Sequence, residues 1–502
     1  MKKLVYIFLA TGVVLFSSCE KDLDQLPISN ASTETFYKTN NDFIQGINAV
    51  YNSLRGYPDR QLNLSETRSD NLYAVSDGGV RDWEGINSFH KGISSNPYVI
   101  EAWEANLTGI YRANILLEQL SKNGNLISDE NLKKRLEAEA RFLRAFFYFD
   151  LVRFFGKVPL VDKVVLANEA LTIPRSPVSD VYNLIIADLE FAGNNLPSPE
   201  VYAAADKGRV TKFAAKTLLA LVYMTRSGPT YDIEGPGLNS NEWSKASGLL
   251  TEVILSGKYS FSASYQNIFS YTNENNAEVV FDVQYISGFS PVMGATFPWV
   301  LVPDTWFQSN GKATQGGLTI RPVSNNMLAS YENGDNRKAF SIQTGYIYNN
   351  VVETQSFFKK YVDLTKVPSN RLDWPINFIV FRYTDVLLLK AECVLHGAPG
   401  SQTTDVDDVV NQVRQRAGLT SPVSNVTLSR LMEERRKEFA AEGSRWHDLV
   451  RSGLVTSIIP AWIALDDIKG QIQPFVKGYA VYPVPQDQMD IKPGLYSQNS
   501  DY

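Results

Sequence analysis

Leu132 to Phe155 reads LKKRLEAEARFLRAFFYFDLVRFF, and no proline or glycine interrupts it. Alanine and long side chains dominate, all strong helix formers. The sequence therefore predicts one helix over Asp129–Phe155, closed by Gly156 and Pro159. Further helices surround it in the chain. Asn41–Leu54 puts Phe43, Ile47, Val50, Tyr51 and Leu54 on one side and stops at Gly56 and Pro58. Tyr98–Leu120 repeats Trp103, Leu107, Ile110, Asn114 and Leu117 at three and four. Val181–Asn194, Val210–Thr225, Asn241–Leu255, Tyr383–Leu395 and Asp405–Arg416 follow, the last capped by Thr404 or Asp405. Helices thus come in successive pairs, with small residues available at the contacts. This is the pattern of stacked helical hairpins.

Between the helices the period changes. Gln61–Pro97 is rich in Ser, Asp, Asn and Gly and reads as irregular. Ala277–Tyr285 alternates as a strand, and Phe357–Val362 and Ile376–Phe381 are further strand candidates. Gly288–Gln315 reads as a long aromatic loop. The length of 502 residues alone suggests two to four domains. No long linker or charge block divides the chain, which favours one large helical body with loop-rich insertions.

Leu431–Gly453, LMEERRKEFAAEGSRWHDLVRSG, is the most densely charged stretch. It reads as one long helix with an ionic face, docked on a core through Phe439, Ala440, Trp446, Leu449 and Val450. Glu433 with Lys437, and Glu442 with Arg445, have the spacing of helical ion pairs. In the Asp129–Phe155 helix, Arg141 and Arg144 are expected to pair with carboxylates between packed helices rather than to bind anions.

The first residues read as a leader. Met1-Lys2-Lys3 is basic, and the apolar run Leu4–Phe16 is shorter than the roughly 20 residues a spanning helix needs. Ser17-Ser18-Cys19 then resembles a lipobox, with Phe16 in place of the usual Leu. Cys19 is the expected lipidation site, and two or more acyl chains there would give stable anchoring. Residues 1–18 form the expected signal peptide, 19–35 the anchor and tether, and 36–502 a single domain. That domain divides into a helical scaffold of about 36–260, an insertion of about 261–380 and C-terminal helices of about 381–502.

Several stretches together resemble the SusD/RagB family of surface nutrient-binding lipoproteins. Glu434-Arg435-Arg436-Lys437-Glu438, then Glu442-Gly443-Ser444-Arg445-Trp446-His447-Asp448-Leu449 and Arg451-Ser452-Gly453, is similar to the family's C-terminal signature. So are Glu137–Ala145 with Tyr148, Leu151, Phe155-Gly156 and Val158-Pro159-Leu160. Tyr331 with Asp335 and Arg337, Arg382-Tyr383 with Val386–Glu392, Val413-Arg414 with Arg416-Ala417, Tyr482–Gln486 and the final Tyr502 complete the set. The resemblance implies a mainly α, tetratricopeptide-like helical-hairpin superhelix with loop-rich insertions and a few short strands. It implies a cell-surface, outer-membrane lipoprotein that captures oligosaccharides and passes them to a SusC-like TonB-dependent transporter. An oligopeptide ligand, as in the RagB branch, and a surface glycoside hydrolase remain the alternatives.

The chemistry readable in the residues agrees with a binder. There is no Walker-type phosphate loop and no Gly-x-Ser-x-Gly turn. His90, His396 and His447 are scattered, and Cys19 and Cys393 make no disulfide framework. The resemblance allows structural calcium, although no EF-hand-type loop is present; no other cofactor is expected. A formal charge of −6 argues against nucleic acid, whose phosphates need a basic face. Arg68 with Arg81 is the local patch that would reverse the bias against anionic glycans.

Sugar rings stack their C–H faces on aromatic rings, while their hydroxyls bond to polar side chains. The family's ligand loops come from the N-terminal third and from near residue 300, so two stretches are candidates. In Glu66–Trp83, Tyr73 and Trp83 are expected to stack while Asp77, Arg81 and Asp82 bind hydroxyls; for Trp83 a plug in the scaffold is an equal alternative, and Asp70 is expected to be structural. In Tyr285–Trp306, Trp299 is the preferred second platform, with Phe297 beside it. Trp306 is expected to be structural and Trp374 a minor candidate, while Trp103, Trp243, Trp446 and Trp462 are assigned to the core.

Overall fold

Glu130–Phe155 is a continuous helix in the computed structural model, which describes residues 36–75, 81–315, 319–400 and 402–502. The Asp129 carboxylate starts it by accepting the backbone N–H groups of Asn131 (2.9 Å) and Leu132 (3.3 Å). Gly156 ends it at φ +67°, where an added Cβ would lie 2.0 Å from the Glu234 carbonyl oxygen. Pro97–Asn123 packs on one flank and Val178–Asn195 on the other. Arg144 forks onto both oxygens of Asp188 at 2.8 and 2.9 Å, and Arg141 joins at 3.3 Å. This is the pairing between helices that the sequence suggested.

The packing order follows the chain. Asn40–Tyr51 lies on Pro97–Asn123, Lys212–Ser227 on Val178–Asn195, and Trp243–Leu255 on Lys212–Ser227. Trp243–Leu255 then packs directly on Tyr383–Leu395, which packs on Thr403–Arg416. Each helix touches the one before and the one after, as a helical-hairpin superhelix requires. Small residues permit the approach; Gly109 faces the Phe147 ring, where a Cβ would clash at 2.5 Å. Trp103, Trp243, Trp446 and Trp462 are all buried.

Because Trp243–Leu255 meets Tyr383–Leu395 directly, the intervening chain is an excursion from the superhelix. Its stem is a two-stranded antiparallel sheet, Val279–Val283 against Phe378–Arg382. Farther along it, Ile342–Tyr348 and Val351–Phe358 form a hairpin that the sequence reading missed. Asn349 and Asn350 take φ of 50° and 60°, the positive values a two-residue hairpin turn needs. The strand expected at Phe357–Val362 is the end of this hairpin and stops at Phe358. The supposed irregular stretch after Gln61 also begins helically, with Tyr57–Arg60 running into Gln61–Glu66 and Asp82–Asn87 following.

The largest departure concerns Leu431–Gly453. It is two helices, Leu428–Glu438 and Arg445–Ser452, and its charges are buried rather than solvated. Between them Ala441 and Gly443 adopt φ of 62° and 76°. The buried Glu66 carboxylate clasps this break by accepting both their N–H groups, at 2.9 and 3.1 Å. Neither expected local pair forms: Lys437 meets Glu434 at 3.4 Å instead of Glu433, and Glu442 does not meet Arg445. Glu442 instead meets Arg382 and Lys360, and Arg445 meets Asp70. Helical spacing cannot reveal this, because the partners come from distant chain.

Glu438 sits at the centre of the lattice, 3.1 Å from Arg337, 2.7 Å from Arg382 and 2.5 Å from Arg416. Burial would raise its pKa, yet Arg416, Arg382 and Arg337 hold it far below the usual carboxylate range. Arg435 and Arg451 bracket Asp448, and Arg451 also forks onto Glu392 at 2.9 and 2.7 Å. Asp70 is therefore structural, held by Arg445 and Arg436. Arg68 is structural too. It is fully buried among Phe89, Trp446, Tyr479 and Tyr482, so it does not form the surface patch with Arg81 that the sequence suggested. Among the described residues no helix is long and apolar enough to cross a membrane.

Candidate functional site

The excursion folds back onto the short helix Tyr57–Arg60. Arg55 donates to the carbonyls of Val292 (3.0 Å) and Gly294 (3.4 Å), and the Tyr285 hydroxyl donates to the Arg55 carbonyl. Thr296 donates its hydroxyl to the Asp59 carboxylate. Ala295 exchanges two backbone hydrogen bonds with Trp374, at 2.8 and 3.1 Å. The Gly288 N–H binds Asp373 at 2.9 Å. These ties fix the base of the Ile286–Met293 loop, and Ile286, Phe289 and Met293 stand exposed on it beside Leu372. Single exposed apolar residues are ordinary, but four on adjoining segments make a patch.

Trp299 stands just beyond, at the end of the short 3₁₀ turn Phe297–Trp299. It is half-buried, and its indole N–H has no hydrogen-bond partner. The guanidinium of exposed Arg371 lies 4.8 Å from its ring centre. Phe297, two residues earlier, is 1 % exposed and packs edge-on to Tyr361 and Phe378. The pair expected as neighbouring contacts thus splits: Phe297 belongs to the core and only Trp299 faces outward.

The other expected loop meets this face through Arg321. Trp83 is 4 % exposed, with the Arg321 guanidinium stacked 4.1 Å from its ring centre. It plugs the scaffold and offers no open face for stacking. Arg321 donates to Asn63 (2.8 Å) and Thr67 (3.2 Å), and it also feels the charges of Tyr98, Asp59 and Asp82. Burial pulls its pKa down to about 10. Arg81 is exposed at the start of helix Asp82–Asn87, 5.8 Å from the Trp83 ring. Tyr73 turns away, with its hydroxyl on Asp467 (2.9 Å) and Gln471 (3.1 Å) of the C-terminal segment. Asp77 and Cys19 lie outside the described residues.

Three residues of this face went unread in the sequence. Asp59 is a partly covered carboxylate whose pKa burial pushes up to about 7. Tyr98 is half-buried at the head of helix Pro97–Asn123. Arg371 caps Trp299 from a segment seventy residues on in the chain. Asp59 and Tyr98 fall at the starts of helices, where periodicity assigns residues to packing, and a lone arginine in a polar loop carries no signal. The face offers an aromatic ring, the Arg371 guanidinium, a carboxyl that burial pushes up to about 7 and an apolar rim. Such a set can stack against a ring and share hydrogen bonds with hydroxyls. Among the described residues no group of three or more His, Cys, Asp or Glu is placed to hold a metal ion, so no calcium site is assigned there.

Comparison with known proteins bears on the chain as a whole. A family model described as the SusD family matches residues 263–502, and one described as starch-binding and associating with the outer membrane matches 23–224. SusD-like protein P25 of Formosa agariphila is 24% identical over 99% of this chain and 98% of its own. The surface glycan-binding protein A of Bacteroides fluxus superposes with a TM-score of 0.79 at 23% identity, over 92% of this chain and 100% of that one. A laminarin-binding SusD-like protein superposes with a TM-score of 0.74 at 25% identity, over 93% of this chain and 100% of that one.

Proposed function

Because the chain belongs to the SusD/RagB family, we propose that it is a glycan-binding protein of the outer membrane that takes an oligosaccharide onto the Trp299 face. The family's glycan-binding relatives support the ligand class. The observation that carries the site is Trp299 itself. It is a partly exposed indole with an unpartnered N–H and the Arg371 guanidinium 4.8 Å from its ring centre, on the same excursion as exposed Phe289, Met293 and Leu372. A buried donor left without a partner costs free energy, and a ligand hydroxyl reaching it would recover part of that cost. Trp299 would stack on the sugar ring, Arg371 and Arg81 would donate to hydroxyls, and Asp59 and Tyr98 would exchange hydrogen bonds at the inner edge. Trp83 would act from behind, by setting Arg321.

In the same reading Cys19 carries the lipid anchor, the protein lies on the cell surface, and captured ligand passes to a SusC-like TonB-dependent transporter. No catalytic role is assigned. The test is titration calorimetry of the chain from residue 36 onward with neutral oligosaccharides, laminarihexaose among them, and with a peptide mixture. Binding to a glycan class that Trp299→Ala weakens is the expected result. Glycan binding indifferent to Trp299 would discard the site and keep the ligand class. Binding of peptides alone would move the protein to the oligopeptide branch, and release of reducing sugar would make it an enzyme.

A further inference from the structure

A second cavity lies on a different part of the excursion and plays no role in the Trp299 face. It has a volume of about 580 Å³, is open to solvent, and is lined by the short helix Tyr265–Ile268 with the residues after it, the end of helix Asn336–Ser341, Trp306 and the segment 359–366. Phe269, Phe340 and Trp306 supply aromatic wall, and Tyr271 stands at the side with its hydroxyl on the Tyr361 carbonyl at 2.7 Å. Cavities of roughly 300–1,000 Å³ lined this way, with a few placed polar groups, are the usual size for small ligands.

The charged groups here are predominantly cationic. Lys359, Lys360 and Lys366 all line the cavity, against the single carboxylate of Asp363. Lys360 is committed elsewhere; its ammonium reaches Glu442 and the carbonyls of Glu438 and Ala440. Asp363 is also engaged, accepting the N–H and the hydroxyl of Thr365 at 2.8 and 2.7 Å. Lys359 is different. It is half-buried, and its ammonium touches only the neutral amide oxygen of Gln343, at 3.1 Å. Burial lowers its pKa, as expected for a charge removed from water without a counter-charge. Lys366 is exposed at the mouth, and neither Lys359 nor Lys366 has a carboxylate within ion-pair distance among the described residues. The chain as a whole carries −6. A concave, cationic, aromatic-walled spot on an acidic protein focuses field and gathers anions that the rest of the surface repels.

We propose that this cavity is a second saccharide site, selective for a sugar bearing a carboxylate or a sulfate ester. The anionic group sits between Lys359 and Lys366, and the ring lies against half-buried Phe340. Gln343 releases the Lys359 ammonium to the ligand or bonds a hydroxyl beside it. The choice of a sugar over another anion rests on the carbohydrate-binding reading above, whereas the choice of charge rests on the cavity alone. The two sites then divide labour, with neutral rings held at Trp299 and charged residues of a mixed polymer held here.

The experiment is calorimetric titration of the chain from residue 36 onward with three probes of equal length: a neutral glucan, an oligogalacturonate and a sulfated galactan oligosaccharide. Each is run against wild type, Lys359→Gln with Lys366→Gln, Lys366→Gln alone and Trp299→Ala. Losing two charge-assisted contacts is expected to weaken the anionic probe about tenfold or more. Loss with Lys366→Gln alone would be smaller, and because Lys366 is exposed that variant keeps the fold intact. Neutral glucan binding should not respond to either lysine variant. Raising salt from about 50 to about 300 mM should weaken the anionic probe and spare the neutral one. The galacturonate and sulfate arms tell which anion is preferred. Anionic binding that survives both lysine variants overturns the proposal, as does failure of both anionic probes while the glucan binds; in that second case the Trp299 reading stands. Anionic binding that needs the lysines, with no glucan binding at all, upholds this cavity and overturns the Trp299 site. Failure of all three probes overturns both.

Discussion

The Glu438 lattice and the Trp299 face are built from the same kinds of residue and use them in opposite ways. In the lattice, Glu278, Glu438, Glu442, Asp70, Asp448 and Glu392 are buried, and each meets at least one arginine within about 3.2 Å. On the face, the Trp299 indole N–H, the Arg321 Nε and one Asp373 oxygen are covered yet bonded to nothing, and exposed Arg371 has only the Trp299 ring and one long hydrogen bond, 3.4 Å, to the Gln315 carbonyl. A satisfied charge has nothing left to offer a ligand, so charge density alone is a poor guide to function. The lattice joins segments far apart in sequence and fixes how they meet. The face leaves donors and an aromatic ring unspent on a rigid base, which is what recognition of a polyhydroxylated ring requires.

Breaking the lattice should have the largest effect. Glu438→Gln keeps the shape but removes the charge facing Arg337, Arg382 and Arg416, and should cost about 3–5 kcal/mol of stability in denaturant melts. A cost below about 1 kcal/mol would mean that the lattice is decoration. Phe297→Ala should be of similar size, about 3–5 kcal/mol, because it empties a ring site packed against Tyr361 and Phe378. Two residues away, Trp299→Ala should reverse the pattern. Stability should change by less than about 1 kcal/mol, while glycan affinity falls by about 1–3 kcal/mol, or roughly 5- to 150-fold. If Phe297→Ala and Trp299→Ala behave alike, the division between core and platform within this turn is wrong.

The sequence made the helical framework readable and the site only partly so, for a physical reason. Helices announce themselves through local spacing, so Glu130–Phe155 and its neighbours lie within a few residues of expectation. The Arg144–Asp188 pair was readable in kind because an inward-facing arginine on such a helix must find a carboxylate. Leu428–Ser452 was misread because its charge pattern is the same whether water or Asp70, Arg382 and Glu392 stand opposite, and only the tertiary fold decides. Trp299 was placed by its Gly- and Pro-rich surroundings, and Trp83 in similar surroundings proved to be a plug. What separates them is Arg321, more than two hundred residues beyond Trp83 and with no local mark in the sequence. The Lys359 cavity was equally silent, since its lysines look like ordinary surface residues until the fold encloses one of them.

The smallest expected effect is also the sharpest contrast between the two regions, because it turns on the sign of a pH dependence. Glu438 is held below the ordinary carboxylate range, so it stabilises the fold above about pH 4.5 and loses that contribution as pH falls through its folded value. Asp59 is pushed the other way, to about 7, by burial beside Thr296. Between about pH 4 and 7 the folded chain therefore keeps a proton that the unfolded chain has released, and stability declines as pH rises through this window. Asp59→Asn keeps an acceptor for the Thr296 hydroxyl and cannot ionise. Its unfolding free energy should exceed that of wild type above pH 7, by an amount on the order of 1 kcal/mol after solvent screening, with a higher melting temperature to match, and the gap should close toward pH 4. The Glu438→Gln deficit should shrink over more acidic pH, so the two difference curves slope in opposite senses. A variant at Asp59 that is less stable than wild type at pH 8 would mean that the neighbouring Arg60 pairs with the carboxylate and holds it ionised. Asp59 would then belong with the satisfied charges of the lattice, and the inner edge of the Trp299 face would lose its titrating group.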